Sequence, residues 1–494
     1  MNYISTRDKS VKVSAAKAIA QGISEEGGLF VPDSFPTLTA DDFKKISELD
    51  YKGRAKYILK FFLNDFTEEE VNYCIDGAYT GTFDNEQPAP ISLVGKSANI
   101  LELWHGPTCA FKDLALQLLP FLLTTSAKKV NGGKKTVILV ATSGDTGKAA
   151  LEGFKDVPDT EIMVFYPSEG VSPMQKLQMD SQKGKNVHVC AIKGNFDDAQ
   201  TGVKKIFTDS DVKAKLAENN MLFSSANSIN WGRLAPQIVY YVSAYCDLLS
   251  RDDFEGEFNI VVPTGNFGNI LAAYYAKKMG VPVGKLICAS NSNNVLTDFI
   301  NNGTYNRNRD FYTTISPSMD ILISSNLERM IFELTGNDDK KVSAWQNDLS
   351  VKGSFTVDAD MKSKINELFW GGYCDDGETL KTIGKYFKEF GYLCDTHTAV
   401  ALNVYEQYVK ATGDDKATVI ASTASPYKFA SSVLSAVSDK TGSDEFDTVN
   451  VLANETGTEI PAPIASLQNA EVRFKEICEK QDMLKSVYKA LNIN

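Results

Sequence analysis

The chain has 494 residues, too many for one ordinary hydrophobic core, so two or three domains are expected. Hydrophobic residues make up 43% and charged residues 23%, the balance of a soluble globular protein. A formal net charge of -12 repels nucleic acid and anionic membranes, excludes both as expected partners, and obliges any anionic substrate to find a local basic pocket.

The N-terminus, MNYISTRDKSVKVSAAKAIAQ, is polar and lacks the apolar run of a signal peptide, which predicts a cytoplasmic protein. AAKAIAQGI and DDFKKISEL read as helices, with GG and PDSFP as breaks, so residues 1–95 are predicted to form a mostly helical domain. The longest apolar run, around Leu114 to Leu123, is too short for a bilayer and contains Pro120. From Thr136 onward, apolar strands alternate with amphipathic helices. TVILVAT precedes KAALEGF, EIMVFYP and VHVCAI flank KLQMDSQK, FNIVVPTG precedes NILAAYYAKKMG, and KLICAS and TVIAST close the set. Strands rich in Val and Ile between helices predict parallel sheets in an α/β fold. Residues 131–225 are assigned to a small α/β domain, and 96–130 with 226–494 to a large one. Residues 301–391, charged and turn-rich, read as a helical insertion or peripheral layer, and AEVRFKEICEKQDMLKSVYKALNI as a helical tail packed on the surface. The eight cysteines are dispersed without a CxxC pair, which predicts buried reduced thiols and no metal site.

Five segments carry candidate chemistry. In WHGPTCAFKDLALQ, Lys112 precedes an apolar helix opened by Asp113. Burial lowers a lysine's pKa, and a neutral amine is what an aldehyde cofactor requires; taken alone, the residue reads better as a lysine snorkelling to water. In ATSGDTGKAA, the strand-to-helix turn fails the P-loop pattern; its amides can bind a carboxylate, but taken alone the segment reads better as an N-capped turn. In NSINWGRLAPQ, Arg233 is as consistent with a phosphate clamp as with a surface ion pair. In TGNFGNILAA, glycines and a helix N-terminus can hold a phosphate without a cation, at even odds with an empty tight turn. In TVIASTASPYKF, hydroxyls end a buried strand, where α/β folds meet ligands and where turns also form.

Together these segments resemble the threonine synthase family of fold-type II pyridoxal-phosphate enzymes, which are tryptophan synthase β-like. HGPTCAFKD resembles the cofactor-lysine motif, which implies that Lys112 carries pyridoxal 5'-phosphate as a Schiff base. GNFGN resembles the cofactor-phosphate loop, implying Gly265, Asn266, Phe267, Gly268 and Asn269 as its ligands. STAS resembles the segment whose threonine meets the pyridine nitrogen, here Thr423. TSGDTG resembles the loop facing the substrate's amino-acid end, which implies Ser143, Gly144, Asp145 and Thr146. NSINWGRL resembles the substrate-phosphate segment, implying Arg233 with Asn227 and Ser228, and Lys176 adds positive charge. QGISEEGGLFVP, VSPMQKLQM, GNFDDAQ and DTHTAVA match in support, so the resemblance runs in order from about Gln21 to Phe429. The chain departs from it at Ser425, where histidine is common, at Asn294 and Asp298, and at Thr396, where proline is common. The implied enzyme converts O-phospho-L-homoserine and water to L-threonine and phosphate, as a monomer or small homo-oligomer. The alternatives are a phospho-lyase giving a 2-keto acid, an amino-acid dehydratase, and a noncatalytic anion-binding protein.

Overall fold

Runs of Val, Ile and Leu without polar alternation are stable only as strands covered on both faces, and the chain uses them so. The computed structural model describes residues 1–142, 144–169, 171–254 and 256–493. Its strands are β1 (Tyr3–Ser5), β2 (Lys12–Val13), β3 (Phe30–Pro32), β4 (Ile91–Val94), β5 (Ala98–Glu102), β6 (Lys135–Ala141), β7 (Thr160–Pro167), β8 (Val187–Lys193) and β9 (Met221–Ser224). They continue with β10 (Phe258–Pro263), β11 (Val283–Ser290), β12 (Thr304–Asn306), β13 (Ser354–Thr356), β14 (Phe369–Tyr373), β15 (Thr418–Ser422) and β16 (Ile477–Glu479).

The larger sheet has the order β14-β11-β10-β15-β5-β4 and is parallel except at its β4 edge. The smaller has the order β16-β8-β7-β6-β9 and is parallel throughout. Such ladders need helical crossovers: the Asp145–Phe154 helix follows β6 and the Gly268–Lys278 helix follows β10. This is the expected parallel-sheet α/β architecture.

The N-terminal region supplies the small antiparallel sheet β2-β1-β3 and the helices Ala40–Ser47, Tyr51–Phe62 and Glu68–Tyr79. The first two of these helices pack against the long Trp231–Leu249 helix. Tyr3, Phe62 and Tyr275 surround the Trp231 ring there. Arg54 is buried in the same contact, and its guanidinium donates to Asp247 at 2.6 Å and to the Ser243 hydroxyl at 2.7 Å. No helix among the described residues is long and apolar enough to cross a membrane.

The strand pairing corrects three boundaries read from the sequence. β4 and β5 form an antiparallel hairpin, so a division between residues 95 and 96 falls inside it. β14 is the edge strand of the larger sheet, so residues 301–391 are not only a helical insertion. Its FWGGY sequence offers little strand signal, because Gly371 and Gly372 are there for close packing: a Cβ on Gly371 would lie 3.2 Å from the Thr297 backbone. Finally, β16 pairs with β8, so the chain's end returns to the smaller sheet rather than staying with 226–494. The tail's apolar stripe, Met483, Val487 and Leu491, packs against β8 and joins the apolar cluster that includes Val137, Leu139 and Ile192.

Val487 has no exposed surface, and Val487→Asp should destabilise the smaller sheet by about 3 kcal/mol through an unpaired buried carboxylate. Hydrogen exchange should then show early loss of protection in β8 and retention in β10; the reverse order would contradict the pairing.

Candidate active site

In a parallel sheet, the loops at the strands' C-terminal ends share one edge, where ligand crevices form. The loops after β5, β10 and β15 of the larger sheet and after β6 and β7 of the smaller one all carry residues singled out above.

The loop after β5 closes on itself. Asp113 opens a short helix and accepts hydrogen bonds from the Thr108 backbone at 2.8 Å and hydroxyl at 2.7 Å. Gly106 must be glycine, since a Cβ would lie 2.5 Å from that of Asp113. Two backbone bonds tie the loop to the segment after β15, Phe111 N–H to Thr423 O at 2.9 Å and Ser425 N–H to Cys109 O at 3.0 Å. Lys112 is thereby fixed with its side chain only 12% exposed. Its amine donates to Ser318 Oγ at 3.2 Å and lies 3.7 Å from Asp145 Oδ2. Burial pushes its pKa down to about 8; Asp145 opposes the fall, and the Lys428 and Arg233 cations add to it.

Asp145 stands in the first turn of the Asp145–Phe154 helix. It meets Lys428 Nζ at 2.7 Å, Gln175 Nε2 at 3.0 Å and Ser318 Oγ at 3.3 Å. Burial alone would raise its pKa, but Lys428 and Lys112 outweigh burial and hold the carboxylate far below its ordinary range. Gly144 precedes it at a φ of 146°, and a Cβ there would lie 2.4 Å from the Gln175 side chain. The sequence reading offered the amides of this turn as a carboxylate nest. Two are already engaged: Gly144 and Gly147 N–H donate to Thr142 Oγ1 at 3.0 and 2.9 Å. Asp145 and Thr146 keep their amides at the helix N-terminus, and Ser143 lies outside the described residues.

The GNFGN turn follows β10. Phe267 adopts a left-handed φ of 64° and starts the Gly268–Lys278 helix. Gly265 O accepts from Ser324 Oγ at 2.7 Å, and Asn266 O accepts from Asn326 N at 3.1 Å. Arg233, Gln237 and Tyr241, four residues apart, share one face of the Trp231–Leu249 helix. That face meets the start of the Gly268–Lys278 helix, where the Tyr241 hydroxyl donates to Asn269 Oδ1. Among the described residues, Asn269 Nδ2 and Arg233 Nε are buried without a partner. Arg233 Nη1 donates to Ala226 O at 2.9 Å, and burial lowers its pKa to about 10. Buried donors without acceptors are costly, so this corner suits a strong anion. A buried amine beside it suits an aldehyde that carries a phosphate.

Other expected residues stand at the margin. Thr423 is buried beside the Lys112 loop. Ser228 is half-buried, and Asn227 is exposed. Lys176 is exposed, and its amine has no hydrogen bond or ion pair among the described residues. At the departures, Asn294 and Asp298 both accept from Arg309 Nη1, at 3.0 and 2.9 Å.

Gln175, Ser318, His397 and Lys428 join the site without having been assigned to it. His397 Nε2 accepts the Ser318 N–H at 3.1 Å, and its Nδ1 meets Asp395 at 2.6 Å. Gln175, His397 and Lys428 lie in segments quoted above (VSPMQKLQM, DTHTAVA and STASPYKF). Ser318 had no signal, because it lies in the stretch read as peripheral.

Three family descriptions match the chain: "Threonine synthase N terminus" over residues 2–79, "Pyridoxal-phosphate dependent enzyme" over 98–349, and "Threonine synthase, C-terminal" over 398–487. The chain is a fold-type II pyridoxal-phosphate enzyme. It is 37% identical to threonine synthase of Saccharomyces cerevisiae, over 88% of this chain and 89% of that one. It belongs to the threonine synthase family. The crystal structure of PLP-bound threonine synthase from Brucella melitensis superposes with a TM-score of 0.88 at 34% identity, over 99% of both chains. The human protein threonine synthase-like 1 is 40% identical over 89% of this chain, which spans only 61% of that protein's length.

Gly144→Ala should cost about 2 kcal/mol by displacing Gln175 and straining the turn. A urea midpoint equal to the parent's would contradict the close packing.

Proposed function

We propose that the protein is a threonine synthase, which converts O-phospho-L-homoserine and water into L-threonine and inorganic phosphate. The observation that carries this reading is a buried amine, Lys112, close enough to a buried Arg233 to feel its charge, with the Arg233 Nε left without an acceptor. An amine alone would suit many reactions; with Asn269 given to the cofactor phosphate, the unmet donor of Arg233 favours a second anion, a phosphorylated substrate.

In this reading Lys112 would carry pyridoxal phosphate, the loop Gly265, Asn266, Phe267, Gly268 and Asn269 would receive its phosphate, and Thr423 would serve its ring nitrogen. The cofactor supplies a sink for electron density at the substrate's α and β carbons. The chain's own groups do the rest. Lys112, once freed, would take protons from Cα and Cβ and return them at Cγ and Cα, and a pKa of about 8 suits it to both directions. The Asp145 and Thr146 amides, with Ser143 and Gly144 beside them, receive the substrate carboxylate. Arg233 with Asn227 and Ser228 receives the substrate phosphate, which leaves from Cγ; Lys176 adds positive charge at the rim. Water then adds at Cβ. All eight cysteines are buried and unpaired, which suits a reducing compartment, and the reading places the enzyme in the cytoplasm as a monomer or small homo-oligomer.

The test is to incubate the protein with O-phospho-L-homoserine and pyridoxal phosphate and identify the organic product. Threonine with phosphate supports the synthase; a 2-keto acid with phosphate makes the protein a phospho-lyase. Lys112→Ala should abolish turnover and the absorbance of lysine-bound cofactor together, and retention of either contradicts its role. Arg233→Leu should raise KM for the phosphorylated substrate at least ~10-fold and keep that absorbance, since it removes charge-assisted bonds.

A further inference from the structure

Asp145 is shared by two lysines, and only one of them has been given a task. Lys428 follows β15, is 1% exposed, and lies wholly inside the protein. Its amine donates to Asp145 Oδ1 at 2.7 Å and to the Thr108 carbonyl at 2.8 Å. It therefore grips both the helix that carries Asp145 and the loop that carries Lys112. Lys112 reaches the other oxygen, Oδ2, at the longer distance of 3.7 Å.

We infer that Lys428 is a positioning residue for Lys112: by holding one oxygen of Asp145 and placing a second buried cation nearby, it keeps that carboxylate from locking Lys112 as a permanent ammonium. A single lysine beside a buried carboxylate would pair with it fully and remain charged, a poor nucleophile and no base. Two lysines on one carboxylate leave the second short of a counter-charge. The geometry decides which is second: Lys428 has the short contact and a backbone carbonyl, whereas Lys112 has the long contact and a neutral hydroxyl from Ser318. The charged groups facing Lys112 are Asp145 from the smaller sheet's side, Lys428 from the segment after β15, and Arg233 from the Trp231–Leu249 helix. Asp113 acts on Lys428 from the Lys112 loop. Burial is the largest cause of the lowered pKa of Lys112, and two cations against one anion add to it, Lys428 being one of the two.

The inference deepens the reading of Lys112 as the reacting lysine, but its test needs neither cofactor nor substrate. Cofactor-free full-length protein is labelled with limiting formaldehyde and a hydride donor across a pH series. Methylation of Lys112 is quantified by peptide mass spectrometry, and its midpoint reports the amine's own titration. The parent midpoint should fall near 8. Lys428→Met should raise it by about 1 pH unit or more, Lys428→Arg should restore it, and Asp145→Asn should lower it. A purely structural Lys428 predicts a Lys428→Met protein that is folded by circular dichroism with an unchanged midpoint, and that result overturns the inference. If Lys428→Met does not fold, the double variant Lys428→Met/Asp145→Asn removes both buried charges together. Its midpoint should exceed that of Asp145→Asn alone; equality overturns the inference. Failure of the synthase reading would leave all these midpoints where they are.

Discussion

A carboxylate buried between two sheets must be fully answered by cations and hydrogen bonds, because an uncompensated charge there costs about 3–5 kcal/mol. Asp145 is that carboxylate, and its partners come from separate parts of the chain. Lys112 follows β5, Lys428 follows β15, Gln175 follows β7, and Ser318 belongs to the segment between β11 and β14. Gln175 stands on the smaller sheet's side with Asp145, but Lys112, Lys428 and Ser318 meet Asp145 only if the two sheets turn their C-terminal edges toward each other. The ion cluster is thus a condition on the fold as well as a part of the site. It also explains why glycine precedes Asp145: the helix must begin close enough for Gln175 to reach across, and a Cβ would fill that space.

The sheets were legible because burial on both faces demands runs such as TVILVA and FNIVVP, and few other structures use them. The turns after them were legible because left-handed or crowded backbone demands glycine, as at Gly144 and beside the left-handed Phe267. Short edge strands were not. β14 carries two glycines for close packing, and β16 has three residues whose partner, β8, lies nearly three hundred positions earlier. Pairing over such a distance leaves no local periodicity to read.

The site divides the same way. Lys112 and Arg233 were ambiguous within their own segments, and the joint resemblance of the five segments singled them out. Lys428 looks like an ordinary lysine after a proline turn, and its burial is a property of the assembled crevice. Ser318 sits in polar text, and what fixes it is His397, whose Nε2 takes the Ser318 N–H while Asp395 holds Nδ1. A backbone bond to a histidine seventy-nine residues away has no signature in either segment.

The corner around Arg233 shows how a protein of net charge -12 can still offer a locally positive pocket. Field strength inside a crevice depends on nearby dipoles and charges, since distant surface carboxylates are screened by solvent. Here the local balance is reversed. Lys112 and Lys428 converge on one carboxylate, Arg233 adds its positive charge near Lys112, and the Gly268–Lys278 helix presents its N-terminus beside Asn269. Arg233 spends one nitrogen on the Ala226 carbonyl and leaves Nε buried without an acceptor, so its orientation is fixed before any ligand arrives. An arginine held this way loses little freedom on binding, and its unmet donor makes the site more stable with an anion than without one.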